Sequence, residues 1–211
     1  MLVVVGVLAF VLLGGESGGL GSLGGSSTPM PAFAFHVGRT SALRVTEGGE
    51  STAPPAVDAA AKAVTTTLQQ LYSEAFLDPS NWKDGSYDDV WPLFSDGAQS
   101  AAEHQAATLT VGANGGDTFE AIDRPSGHIN VKVLLNRSNQ VATVVAVVRF
   151  DAVGTRTDGQ LTLFRSKGQY FLHHEGDGWR VYSFSVSRHD KTKKPKPSPS
   201  VSGSTPGASS T

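Results

Sequence analysis

The stretch Gln169–Arg188, QYFLHHEGDGWRVYSFSVSR, constrains the fold most, because it has the pattern of a β-hairpin. Two aromatic, β-branched runs flank Glu175-Gly176-Asp177-Gly178, and Asp-Gly between such runs is a strong local hairpin signal. Tyr170 and Leu172 alternate with Phe171 and His173, and Trp179 and Val181 alternate with Arg180 and Tyr182. Beyond Ser183 the large residues are Phe184 and Val186, which share the parity of Tyr182 rather than of Trp179. The apolar face therefore changes sides within the last strand, which predicts a bulge or a strongly bent sheet.

Upstream of the hairpin, Ile129, Val131, Val133 and Leu135 alternate with His128, Asn130 and Lys132, the pattern of a strand with one wet face. After a turn at Asn136–Asn139, the run Val141–Phe150 is apolar at both parities, as in a central strand covered on both sides. A further strand is expected around Leu161–Phe164, with Lys167-Gly168 turning the chain into the closing hairpin.

Helices come before these strands. From Ala56 to Leu77, apolar residues at Val57, Ala60, Ala61, Val64, Leu68, Leu71, Ala75 and Phe76 define one face of a helix about 20 residues long. Asp78-Pro79 ends it, since the residue before proline is pushed out of the α region. Ser86-Tyr87-Asp88-Asp89 has the form of a helix cap, and Pro92 keeps that helix short, with Trp91, Leu93 and Phe94 buried. Ser95 caps a third helix through Ala98, Ala101, Ala102 and Ala106, ending before Gly112.

The ends of the chain are unlike a folded domain. Residues 2–13, LVVVGVLAFVLL, are uninterruptedly apolar, but a membrane-crossing helix needs about 20 residues. No Lys or Arg precedes the run and no A-x-A cleavage site follows it, which favours an anchor over a cleaved signal peptide. Residues 1–14 are accordingly assigned to a membrane anchor or signal segment, and 15–53 to a Gly/Ser-rich linker. Within the linker, Phe33, Phe35 and Val37 leave open an early edge strand or coil. The domain proper covers 54–190. Residues 191–211, with four Lys and no acid, make a disordered Lys/Pro/Ser-rich tail.

Charge and composition exclude several functions. Residues 56–190 hold 11 Lys/Arg against 16 Asp/Glu, a balance of −5, which disfavours a nucleic-acid partner. The absence of cysteine excludes disulfides, thiolate metal sites and cysteine nucleophiles. His173-His174 stand at opposite strand parity, so the two imidazoles do not converge on one ion. No catalytic, cofactor or metal set is assigned. The candidate ligand-binding residues are Arg149 and Asp151, at matching parity in an otherwise apolar strand, with His128 and Asn130 on one face of theirs.

Helices followed by an antiparallel sheet of four to six strands make an α+β fold. With its bent terminal hairpin, the stretch from about 56 to 190 resembles the cone-shaped NTF2-like (cystatin-like) fold, a curved sheet wrapping a long N-terminal helix. The segments YSEAFLDPSNW, LTVG at Leu109–Gly112, VRFDAVGTR and YFLHHEGDGWRVYSFSVSR are similar to small membrane-anchored envelope proteins of high-GC Gram-positive bacteria. The resemblance implies a non-enzymatic, extracytoplasmic binding or scaffolding module held to the cell membrane by a single pass, or alternatively secreted. Its partner would be a protein of an envelope, secretion, conjugation or transport-associated assembly. The alternative is a small-molecule-binding cup or SnoaL-like enzyme acting on an apolar molecule.

Overall fold

The computed structural model describes residues 29–44 and 55–194. The expected anchor, most of the Gly/Ser linker and residues 195–211 of the expected tail lie outside the described residues. Among the described residues, no helix is long and apolar enough to cross a membrane. The fold is a mixed α+β arrangement. One open six-stranded sheet has β1 (His36–Arg44), β2 (Phe119–Leu135), β3 (Val141–Arg156), β4 (Leu161–Glu175) and β5 (Gly178–Arg188) side by side in that order, and β6 (Lys191–Lys193) pairs with the start of β4.

Helix α1, Pro55–Tyr72, buries Val57, Ala60, Ala61, Val64, Leu68, Leu71 and Tyr72, the face its spacing predicts. A π turn, Ser73–Leu77, then adds Ala75, Phe76 and Leu77 to the core, and Asp78 leaves the helix in extended conformation. The Asp78 carboxylate accepts from the Ser80 amide at 2.8 Å and starts α2, Pro79–Asp84. No capped helix forms at Ser86. Tyr87 is buried instead, its hydroxyl donates to the Gly112 carbonyl at 3.0 Å, and Trp91–Leu93 make a single 3₁₀ turn. Leu93 and Phe94 are buried as expected, while Trp91 is half-buried. The third helix is broken into α3, Asp96–His104, and α4, Ala106–Leu109, with a short α5 at Gly115–Thr118.

The strands are longer than their alternation suggests. β2 runs from Phe119 to Leu135, β3 from Val141 to Arg156, β4 from Leu161 to Glu175 and β5 from Gly178 to Arg188. The expected turn at Lys167-Gly168 does not occur. β4 passes straight through it, because Gly168 leaves room for Val186 of β5, whose Cγ2 would lie 2.6 Å from a Cβ at that position. The closing hairpin forms one residue early: Gly176 and Asp177 are the turn, Gly176 at φ 59, the glycine-first arrangement that matches strand twist. The bulge is where the parity change requires it. Phe171 pairs with Ser183 and Leu172 with Val181, so Tyr182 is the extra residue, and Val181 and Phe184 both face the helices.

Two additions enlarge the folded body beyond residues 54–190. β1, His36–Arg44, lies in the span assigned to linker and pairs parallel with β2, so the sheet is mixed rather than wholly antiparallel. β6, Lys191–Lys193, belongs to the expected tail and pairs with Leu161–Leu163. The segment before β1 is held by aromatic packing. Phe33 and Phe35 meet edge-on at 4.8 Å, Phe33 touches Phe150 and Phe35 touches Tyr72. Gly127 makes this possible, since a Cβ there would stand 2.6 Å from the Phe35 ring.

The inner sheet face and the helices close on a cluster of Tyr72, Phe76, Phe150, Phe164 and Tyr170, all at 1 % exposure or less. Tyr72 stacks on Phe76 at 5.7 Å and leans on Phe150 at 4.9 Å. Its hydroxyl is shared with Ser166 at 3.1 Å and Tyr170 at 3.0 Å, so the polar ends in this core satisfy one another. Arg188 closes the open end. Its side chain, 11 % exposed, lies over the Phe164 ring at 4.9 Å, donates to the carbonyls of Ala107 and Thr110, and pairs with Asp190.

Two outcomes follow from this packing. Gly127→Val forces a branched side chain against Phe33 and Phe35 and is expected to cost about 1–3 kcal/mol, read as a lower midpoint in urea unfolding. Burial is the largest cause raising the Tyr72 phenol above 10.0, partly offset by its hydrogen bonds to Ser166 and Tyr170, while at Tyr170 burial, followed by the charge of and the hydrogen bond to Tyr72, pushes the phenol well above that value. A raised folded pKa gives stability that is complete below the unfolded value and is lost as pH climbs past it. The domain is therefore expected to lose stability as pH rises beyond about 10, and Tyr72→Phe/Tyr170→Phe should show a shallower decline from its own neutral-pH stability.

Candidate functional site

The sequence-predicted ligand residues all lie on the outer face of the sheet, away from the helices. β2 positions His128, Asn130 and Lys132 there by simple alternation, since Ile129, Val131 and Val133 are buried beneath them. Register then supplies neighbours that alternation cannot reveal. His36, His128, Arg149, Lys167 and Ser187 are successive Cα partners across β1 to β5. Two residues along, Asn130, Val147, Gln169 and Ser185 form the next rung. Beyond it come Ser41, Lys132, Val145, Phe171 and Ser183.

These rungs floor two open depressions. One, of about 760 Å³, includes His128, Asn130, Val147, Arg149, Lys167 and Gln169. The other, of about 440 Å³, shares Asn130, Val147 and Gln169 with it and adds Arg39 and Lys132. The expectation that β3 is covered on both sides fails here: Val147 is 50 % exposed, although Val145 nearby is buried. Among the described residues no helix lies over the outer side of the sheet, and of the apolar outer positions of β3 Val147 faces water.

Each candidate residue has a definite place. Asn130 is partly committed, its carboxamide oxygen accepting from the Arg39 amide at 2.9 Å where β1 bulges between Val37 and Thr40. His128 meets His36 edge-on at 5.3 Å. Arg149 and Asp151 do not pair. They stand two residues apart on one strand face, about 7 Å, and Asp151 instead takes Arg165, directly opposite on β4, at 3.3 Å. That pair floors a separate 440 Å³ depression with Arg149, Lys167 and His189. Among the described residues, neither Arg149 nor Lys167 has a carboxylate within ion-pair distance.

Sequence reasoning missed His36, Arg39, Lys167 and Gln169. Parity along β4 was obscured by the apparent turn at Lys167-Gly168, and β1 was not assigned. At the hairpin tip His173 stacks on Tyr182 and binds Glu175 at 3.0 Å, while His174 meets Trp179 edge-on, so the adjacent histidines do diverge. Trp179 is half-buried at the core margin, and Trp82 is the fully buried tryptophan. Among the described residues, no three His, Asp or Glu side chains gather as a metal site.

The electrostatics give opposite signs for two substitutions. Arg149 faces Lys167 across strands, and like charges directly opposite are destabilising, so Arg149→Ala is expected to leave thermal stability unchanged or slightly raised. Asp151→Asn removes an exposed pair and should lower stability by less than about 1 kcal/mol; denaturant titration of both variants checks the two signs. Compared with protein-family models, with curated proteins and with solved structures, the chain matches none.

Proposed function

We propose that this chain is a non-enzymatic binding or scaffolding module on an NTF2-like frame, held on the extracytoplasmic side of the cell membrane by its N-terminal apolar run. Its partner would be a protein of an envelope, secretion, conjugation or transport-associated assembly. One observation carries the binding half of this reading. The volume between α1 and the inner sheet face is packed with Tyr72, Phe76, Phe150, Phe164 and Tyr170, while the polar candidates share an open outer face. A filled interior favours surface recognition over engulfing an apolar substrate. The buried Tyr72–Tyr170–Ser166 hydroxyls, the polar group nearest to what a cup-like enzyme would need, hydrogen-bond one another within that packing.

The tether rests on residues 2–13 and on the missing cleavage signal. Cell fractionation of the full chain, with determination of its N-terminus, tests it. The expected result is a membrane-bound protein that resists high-salt washing and is released by detergent. A soluble mature form beginning near residues 25–35 would overturn it.

A further inference from the structure

We infer that the outer face around Arg149, Lys167 and Val147 is a docking surface for an acidic protein segment with an apolar residue at its centre; this rests on the binding-module reading and names the chemistry of its partner.

The charge distribution is the first support. Over residues 29–44 and 55–194 the charges balance, 16 Lys/Arg against 16 Asp/Glu, yet the two contiguous depressions contain Arg39, Lys132, Arg149 and Lys167 and no Asp or Glu. Positive charge without an adjacent acid is thus concentrated in these two depressions of an electrically balanced body. Arg149 has Lys167 directly opposite on β4 and His128 directly opposite on β2, with the one nearby acid, Asp151, committed to Arg165. Such an arrangement is unfavourable alone and becomes favourable when an anion lies across it.

The second support is what surrounds the cations. Val147 is half exposed between the two cationic rungs, with the polar side chains of Asn130 and Gln169 opposite it on β2 and β4 and Ser185 beyond Gln169. An apolar centre with a polar, charged rim is the anatomy of a protein interface. A phosphate polymer would leave Val147 unused, and the two depressions are lined by no Phe, Tyr or Trp on which a base could stack, while the His128 ring already meets His36 edge-on. The size agrees. The rung from β1 to β4 spans about 14 Å and the rungs holding Arg149 and Lys132 lie about 13 Å apart, the reach of about four extended residues.

The test uses the full chain in detergent and a fluorescent synthetic peptide of Glu and Asp with one central Leu. Binding by anisotropy is expected, weakening as salt rises and falling at least tenfold in Arg149→Glu/Lys167→Glu. Val147→Ser, or Ser for Leu in the peptide, should each lower affinity severalfold. Circular dichroism checks that the variants, all at exposed positions, remain folded. Equal binding by the charge-reversed variant would overturn the proposal, as would no binding to the acidic peptide. Binding only to phosphatidylglycerol vesicles or to a single-stranded oligonucleotide would overturn it in favour of a lipid or phosphate-polymer surface. A chain that is anchored but does not bind the peptide keeps the scaffold reading and loses this one; a soluble mature chain that binds the peptide does the reverse.

Discussion

The contact between the end of α1 and the inner sheet face is the interaction on which the rest of the structure depends. Tyr72, with the π turn behind it, delivers two rings, its own and that of Phe76, into one layer against Phe150. A regular α-helix would rotate successive residues away from the sheet. The wider turn lets Ala75, Phe76 and Leu77 all be buried in succession. The sheet must then bend around this bulk, and it does so at identifiable places: Arg124 at φ 51 in the β2 irregularity, and the extra Tyr182 in β5. Arg188 completes the enclosure by joining β5 to the carbonyls at the α4 end, through charge-assisted bonds of which the one to the buried Thr110 would leave its acceptor without this donor if lost.

Filling the interior this way has a functional corollary. A fold whose concave side is occupied by its own aromatic residues has only its outer surface left for recognition. In the proposed reading that surface is the sheet face over which, among the described residues, no helix lies. The same alternation that buries Ile129, Val131 and Val133 projects His128, Asn130 and Lys132 outward, so core and candidate site are two readings of one period-two pattern.

Much of the fold was legible because it is written locally. The α1 face, its stop at Asp78-Pro79, the β2 alternation and the β5 bulge each depend on residues within a few positions of one another. Three features were not, for physical reasons. β1 carries little apolar pattern and is fixed by partners 91 residues away, such as Asn130 beneath Arg39, and by the space above Gly127. Lys167-Gly168 looks like a turn, yet its glycine serves a cross-strand neighbour, and only the tertiary pairing reveals which role applies. The start of β2 was hidden because Arg124-Pro125 interrupts the alternation at a bulge. For the site, strand parity identified His128, Asn130 and Arg149, whereas the meeting of Arg149 with Lys167 is a matter of register, and the partnership of Asp151 with Arg165 likewise.

The way the chain enters the sheet has a mechanical consequence. β1 joins at the edge, parallel to β2, and immediately ahead of it Phe33 and Phe35 are wedged over Gly127 against Phe150 and Tyr72. A pull applied from the N-terminal side of residue 33 would act first on this aromatic wedge and then along the β1–β2 ladder, loading many hydrogen bonds together rather than one after another. His36, the first residue of that ladder, neighbours His128 on the Arg149 rung. Tension on the leading segment and occupancy of the outer face would therefore bear on the same pair of strands.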